Sequence, residues 1–364
     1  MPTSTKTFMR ALGIETSCDE TAVAIVRRDA NGHAVIEAET VLSQIDDHAP
    51  FGGVVPEIAA RAHVDHLDHL ITATLNEASL SPQDLDCVAA TAGPGLIGGV
   101  LVGLVTGRAM ASAIGVPFIP VNHLEGHALS PRLGEHVPFP YLLFLVSGGH
   151  TQILCVEGIG QYERWGTTLD DALGEAFDKT AKLLELGFPG GPAVERMAES
   201  GDADRFPLPL PLKGKQGCDF SFAGLKTALR LTAEKHAPLS DQTVADLCAS
   251  FQRSVGETIK DRMASALTRF SDQYTSPPVL VAAGGVAANK AIRAVLNDLV
   301  SARQGRLVIP PAHHCTDNAA MIAWAALERE AAHLPRYEPS ARPRWPLDAQ
   351  ATPKLGSGKK GARA

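Results

Sequence analysis

The sequence predicts an α/β protein made of two similar halves that face each other across a cleft. Three observations carry this. Two stretches each show three strand-like runs and then alternating helical and strand-like segments. The first strand of each half ends in a polar turn, Glu15-Thr16-Ser17-Cys18-Asp19-Glu20 in one and Val146-Ser147-Gly148-Gly149-His150 in the other. At 364 residues the chain is long enough for two lobes. Residue identity between the halves is slight, so what repeats is the pattern of a supersecondary unit.

The first half opens with strands at Ala11 to Thr16, Thr21 to Val26 and Ala34 to Leu42, with Asp29-Ala30-Asn31-Gly32 as a turn between the last two. A helix is expected from Val54 to Ala78, with Pro56 near its start. Cys87 to Thr91 reads as a short strand broken by Gly93-Pro94-Gly95, and a helix rich in small residues runs from Leu96 to Ile114. Pro117 to Val121 is a strand that leads into Asn122-His123-Leu124-Glu125-Gly126-His127.

The second half restarts with strands at Tyr141 to Val146, Gln152 to Glu157 and Tyr162 to Thr167. Helices follow at Asp170 to Leu186 and Pro192 to Glu199. Phe206 to Phe222 has no clear period and reads as a loop or insert. A long amphipathic helix spans Ser240 to Phe270, and Val279 to Ala283 is a strand. A helix begins at Ala288, a strand covers Arg306 to Ile309, and a last helix runs from Asp317 to Ala332. The expected division is a first lobe over residues 1–135, a second lobe with a helical insert over 136–345, and a disordered tail over 346–364.

Composition is ordinary for a globular chain, with 45% apolar and 20% charged residues. No apolar run reads as long enough to span a bilayer, and the start lacks a signal-peptide core, so a cytoplasmic protein is expected. The six cysteines show no CxxC spacing and are expected reduced. A formal net charge of −7 argues against a surface that binds nucleic acid throughout, though not against a local basic patch.

His123 and His127 stand four residues apart, which on a helix places both imidazoles on one face, as a metal requires. Such a pair alone is more often packed or surface imidazole. A third ligand changes the balance, and the best candidate is Asp317, expected to open the last helix as its N-cap. Two histidines and a carboxylate leave coordination positions open for substrate. Glu125 stands two residues after His123 rather than one, so no H-E-x-x-H is present, which counts against peptide hydrolysis. His313 and His314 are neighbours of that site rather than ligands, and His63, His66 and His69 read as a polar, partner-facing stripe.

The two strand-end turns and Ala283-Gly284-Gly285-Val286-Ala287-Ala288-Asn289 suit close backbone approach to a phosphate between the lobes. Any one of them alone is equally an ordinary strand-end turn. Neither a P-loop nor a G-x-G-x-x-G fingerprint occurs. Lys213, Lys215, Lys226 and Arg230 surround Asp219-Phe220-Ser221-Phe222-Ala223-Gly224-Leu225, a basic and aromatic concentration suited to RNA phosphates. A solvated loop and helix start explains the same residues.

Together with Gly174-Glu175-Ala176-Phe177-Asp178-Lys179, these motifs resemble the universal tRNA threonylcarbamoyladenosine transferases, in their bacterial form, over about Leu12 to Trp345. The resemblance implies the duplicated actin-like, sugar-kinase and heat-shock-chaperone ATPase fold. It implies transfer of a threonylcarbamoyl group from threonylcarbamoyl-AMP to N6 of the adenosine 3′ of the anticodon, in tRNAs reading codons that begin with A. Carried over by position, His123, His127 and Asp317 match the ligands of one divalent ion, Fe2+ or Zn2+. Leu145, Val146, Ser147, Gly148, Gly149, Asp178, Gly191, Glu195 and Asn289 match substrate or nucleotide contacts. Archaeal relatives carry a tyrosine ligand where this chain has Leu145, so three protein ligands are expected. Glu15 is the catalytic carboxylate expected near the reacting amine. The implied partners are tRNA, an actin-like paralogue, a small P-loop ATPase and a separate synthase that makes the adenylate. A sugar-kinase-like phosphotransferase and a non-catalytic ATPase scaffold share the fold, which does not choose between them. Neither needs a metal held by His123, His127 and Asp317.

Overall fold

The computed structural model describes residues 8–135 and 137–352. Two five-stranded mixed sheets organise it. In the first, Met9–Glu15 (β1), Glu20–Arg28 (β2) and Ala34–Ser43 (β3) pair antiparallel in succession. A short helix, Ile45–His48 (α1), precedes the long helix Pro56–Glu77 (α2). Cys87–Gly93 (β4) lies parallel to β1, Ile97–Ile114 (α3) crosses over, and Phe118–Asn122 (β5) lies parallel to β4. His123–Leu129 (α4) closes this half.

The second half repeats that path. Tyr141–Val146 (β6), Thr151–Gly158 (β7) and Gln161–Thr167 (β8) pair antiparallel. Four helices follow, Leu173–Leu183 (α5), Gly190–Ala198 (α6), Ala223–Lys235 (α7) and Asp241–Gln273 (α8). Val279–Ala283 (β9) lies parallel to β6, then come Lys290–Ser301 (α9) and Arg306–Val308 (β10), parallel to β9. Ala312–Cys315 (α10) and Ala319–Ala331 (α11) end the sequence of elements. The strand orders β3-β2-β1-β4-β5 and β8-β7-β6-β9-β10 are the same connectivity. The central strands β1, β4, β6 and β9 are covered on both faces, which is why they read as continuous apolar runs.

The sequence reading left α7 out. Its buried residues Leu225, Leu229 and Ala233 recur every four positions, but it lacks a side-chain N-cap and begins with Ala223-Gly224, so it carries no start signal. Helix α11 falls within residues 136–345 by position, yet packs on β1 and β2 of the first sheet. Ala319 through Arg329 are all buried, so a single sheet face cannot satisfy the helix and it must be enclosed. Gly13 makes the contact possible, since a Cβ there would stand 2.4 Å from the Ala319 carbonyl oxygen and 2.7 Å from the Ala323 nitrogen.

Two expectations need correction. Helix α3, with 18 residues at a mean hydropathy of 1.6, is long and apolar enough to cross a membrane by length and composition alone. Its Gly99, Gly103 and Gly107 instead let it pack tightly on Ile14 of β1 and on Thr16 just beyond that strand. Residues 346–352, expected disordered, lie along β8. The Arg164 backbone N–H donates to Asp348 at 2.9 Å, and the Arg164 guanidinium donates to the Thr352 carbonyl at 2.6 Å. The rest of the expected tail, 353–364, lies outside the described residues.

Replacing Gly13 by Ala should therefore push α11 off the sheet and destabilise the protein by about 2 kcal/mol, the scale of an overpacked core. Urea unfolding measures this, and a midpoint equal to that of the parent chain would contradict the close packing.

Candidate functional site

The metal-type cluster is assembled by two helix starts. Asn122 ends β5 and its side chain accepts from the Leu124 N–H at 2.9 Å, which starts α4 at His123 and sets His127 one turn later. The two rings stand 4.7 Å apart, edge to face. At the other start Asn318, not Asp317, is the cap of α11, accepting from Met321 N–H at 2.9 Å. The carboxylate of Asp317, one residue earlier, is thereby left to face the histidines. Its Oδ1 is 3.1 Å from His127 Nε2 and 3.5 Å from His123 Nε2. The three donor atoms lie within 4.8 Å of one another and could hold a metal ion. Two imidazole nitrogens and one carboxylate oxygen suit a divalent transition ion.

Behind them sits Glu15, fully sealed from solvent. One of its oxygens is 3.0 Å from His123 Nδ1 and accepts from the Thr91 hydroxyl at 2.5 Å; the other accepts from the Ser17 N–H at 2.6 Å. An ionised carboxylate only accepts, so His123 carries its hydrogen on Nδ1 and presents Nε2 toward Asp317. Burial opposes charge on this cluster, but mutual attraction wins. His123 is pushed up to about 9 by Asp317 and Glu15. Glu15, despite its burial, is held below the usual carboxylate range by His123 and Thr91, and Asp317 by His123 and His127. Glu20 goes the other way. Burial, then the charges of Asp317, Asp19 and Glu15, push it up to about 10.

A cavity of about 830 Å³ separates the lobes. The Ser17–Glu20 turn and Pro94–Leu96 line it from the first half, and Ser147–Gln152 and Asp178 from the second, with His123 and Asp317 in the same wall. The Ser147 turn is tight, with Ser147 N–H donating to the His150 carbonyl at 2.9 Å and His150 N–H to Ser147 Oγ at 3.1 Å. It is held by close approach from both sides. A Cβ at Gly284, where φ is +96°, would lie 2.3 Å from the Val146 carbonyl, and one at Gly174 would lie 2.7 Å from that of Ser147. At Gly148 and Gly149 a Cβ would meet nothing within 4 Å, so their backbone faces open space.

Not every expected site residue reaches this cavity. Glu15 does not line it; Glu20 does. Leu145 and Val146 are sealed in β6 and carry the turn. Asp178 is in the wall and accepts from Gly190 N–H at 2.8 Å. Gly191, Glu195 and Asn289 are outside the wall. Asn289 caps α9 by accepting from Ile292 N–H at 3.0 Å and donates to Gln252 at 3.0 Å, while Glu195 accepts from Lys290 N–H at 2.7 Å. Glu125 points away from the cluster into an ion pair with Arg329 at 3.0 Å, and His314 faces Glu39 at 3.0 Å. His63 is buried whereas His66 and His69 are exposed, so the three are not one stripe. Lys182 and Arg344 line the cavity without having been foreseen, because neither belongs to a motif.

The basic patch also changes character. Phe220 and Phe222 are fully buried, with Phe220 packed 5.6 Å from Phe144, so neither ring is available to stack on a base. Arg230 pairs with Glu234 at 2.7 Å, Lys213 and Lys215 are exposed, and Lys226 is half-buried. None of the four lines the cavity.

Residues 35–324 match the profile of the tRNA N6-adenosine threonylcarbamoyltransferase family. Proteins of that name from Rhizobium johnstonii and Rhizobium etli (strain CIAT 652) are 59% and 60% identical over 362 residues, covering 98% of this chain and 99% of each relative. One from Brucella suis biovar 1 is 60% identical over 359 residues, covering 98% of this chain and all of the relative. Among solved structures, T. kodakarensis HypF is similar over 91% of this chain and 49% of its own, at a TM-score of 0.60 and 14% identity. Full-length HypF in its phosphate- and nucleotide-bound form is similar over 89% and 55%, at 0.55 and 11%. Likeness at that identity concerns the fold alone, which is the duplicated actin-like, sugar-kinase and heat-shock-chaperone ATPase fold.

Proposed function

The chain belongs to the tRNA N6-adenosine threonylcarbamoyltransferase family, whose members act on tRNA adenosine, and from that premise we propose the full reaction. The acyl donor is threonylcarbamoyl-AMP, and the acceptor is N6 of the adenosine 3′ of the anticodon in tRNAs reading ANN codons. The observation that carries this is one cavity whose wall joins an anion-accepting glycine turn, Ser147–Gly149, to the His123–Asp317 cluster.

The donor is a mixed anhydride, already activated. The N6 amine attacks its carbonyl, the C–O bond to phosphate breaks, AMP leaves and the amine loses a proton. The enzyme's share is positioning and charge stabilisation. Backbone N–H groups of Gly148 and Gly149 hold the AMP phosphate, and Asp178 holds ribose or adenine across the cavity. Gly191, together with Glu195 and Asn289 at the start of α9, would border the nucleotide beyond the cavity wall. His123, His127 and Asp317 would hold Fe2+ or Zn2+, which would supply Lewis-acid chemistry for the acyl transfer. Glu15 orients His123 in place of acting on the amine, and Glu20 is the carboxyl that faces the substrates.

Binding partners follow the same reading. Ile97, Leu101 and Val105 form an exposed apolar row on α3, with Val64 exposed on α2. This face would dock an actin-like paralogue, and a small P-loop ATPase would join that assembly. A separate synthase supplies the adenylate in the cytoplasm. Lys213, Lys215, Lys226 and Arg230 would contact tRNA phosphates, and the salt dependence of tRNA binding reports how many such contacts exist. Leu101→Glu should abolish co-purification with the paralogue while leaving the fold intact, and retained association would remove this face from consideration.

The direct test is transfer of label from threonylcarbamoyl-AMP to tRNA by the chain with its partner proteins. Wild type should transfer. Gly149→Val, which places a side chain into open cavity without touching the fold, should lose AMP binding by calorimetry and transfer together. Undiminished AMP binding by the folded variant would contradict the role of the turn.

A further inference from the structure

His63 is buried, yet the reaction above makes no use of it. It projects from α2 into a gap left by Gly99 of α3, where a Cβ would stand 3.0 Å from its ring. Its ring nitrogens reach the Ser17–Glu20 turn and the residue that follows it. Nε2 is 3.1 Å from the Cys18 carbonyl, and Nδ1 is 2.7 Å from the Thr21 hydroxyl. The Gln44 amide stands 3.3 Å from Thr21 Oγ1 and from Nδ1. A carbonyl can only accept, so Nε2 bears the hydrogen and Nδ1 accepts from Thr21. That arrangement needs a neutral ring, and burial pushes the His63 pKa down.

Cys18 and Thr21 bracket Asp19 and Glu20, so one imidazole from another element restrains both ends of the part of the turn that faces the cavity. The near end is fixed separately. The Ser17 N–H donates to Glu15, and the Ser17 carbonyl accepts from Leu96 N–H at 2.8 Å. Ser17 Oγ also stands 3.2 Å from His123 Nδ1, which links the turn to the histidine cluster.

Resting on the transferase reading, we propose that His63 is a positioning residue for transfer: its hold on the Cys18 carbonyl keeps the Ser17–Glu20 turn where bound substrates require it. It touches no substrate itself. Glutamine and asparagine separate the two ring contacts, because a Gln amide nitrogen reaches the place of Nε2 and an Asn side chain reaches only that of Nδ1.

The experiment is steady-state transfer to tRNA by the full chain with its partner proteins, with thermal melting and AMP calorimetry on the same preparations. His63→Asn should lower kcat at least about tenfold, the rate equivalent of one buried hydrogen bond that no longer holds the turn in place. Its KM for tRNA should stay within about twofold, and its melting temperature should match that of His63→Gln. His63→Gln should recover kcat to within about threefold of wild type. Thr21→Val, near-isosteric, should give a partial kcat loss and serves if His63→Asn does not fold. Wild-type kcat in His63→Asn, or equal losses in the Asn and Gln variants, would overturn the positioning role, as would wild-type kcat in Thr21→Val where the Asn variant is unfolded. A wild-type chain that binds AMP but transfers nothing would overturn the transferase reading instead.

Discussion

Glu15 is a carboxylate with no access to water, satisfied by His123, Thr91 and the Ser17 backbone. An ionised group so buried is tolerated only when its acceptor sites are filled and an opposite charge stands close. That condition dictates much around it. The parallel pairing of β1 with β4 brings Thr91 alongside, and Asn122 starts α4 so that His123 meets the carboxylate. Once Nδ1 of His123 is committed to Glu15, Nε2 can only face outward, where Asp317 and His127 are. Asp317 arrives from the far end of the chain because α11 is buried against β1 and β2, and Gly13 permits that approach. The cluster therefore depends on backbone packing more than on the ligands themselves.

The duplicated halves place a hairpin turn at the same point, after β1 and after β6, and the two turns face one cavity. Their chemistry has diverged. Ser17–Glu20 brings side-chain carboxyls and restraints from α2 and α3, whereas Ser147–His150 brings bare backbone. One turn suits charge management near the histidines and the other suits an anion, so a symmetric fold yields an asymmetric site. Exposed apolar side chains on α3 lie on the helix face opposite its glycines, so one element packs against the cavity turn on one side and presents an apolar row on the other.

The strands and the His123–His127 pair were legible in the sequence because each is written locally, whereas Asp317 was reached only as a candidate helix cap, a role that Asn318 takes. Alternating apolar runs and Gly turns mark the strands, and His123 and His127 share one helical face by spacing alone. Residues whose role depends on distant packing were not legible. Glu15 looks like any strand-end acid until β4 and α4 close over it. Asn289 ends a Gly-rich turn, and the sequence does not show that its side chain also caps α9 and meets Gln252. Phe220 and Phe222 sit among lysines in sequence, but both rings pack into the core of the second lobe. His63 shares a three-residue spacing with His66 and His69, but that spacing drifts around a 3.6-residue helix, so one ring is buried and two are exposed.

We infer that a buried carboxylate, Glu15, sets the orientation of His123 in the candidate metal cluster. Glu15→Gln tests it with little change in volume. Glutamine must turn a donor either toward the Ser17 N–H or toward His123 Nδ1 and Thr91, so one buried donor is left facing another. Chelator-competition titration of Fe2+ and Zn2+ into the apo protein should show affinity falling by about 10- to 100-fold in Glu15→Gln, the usual effect of losing such an orienting partner. His127→Ala, which lacks a ligand outright, should lose more. Parent-like metal affinity in Glu15→Gln would contradict the account.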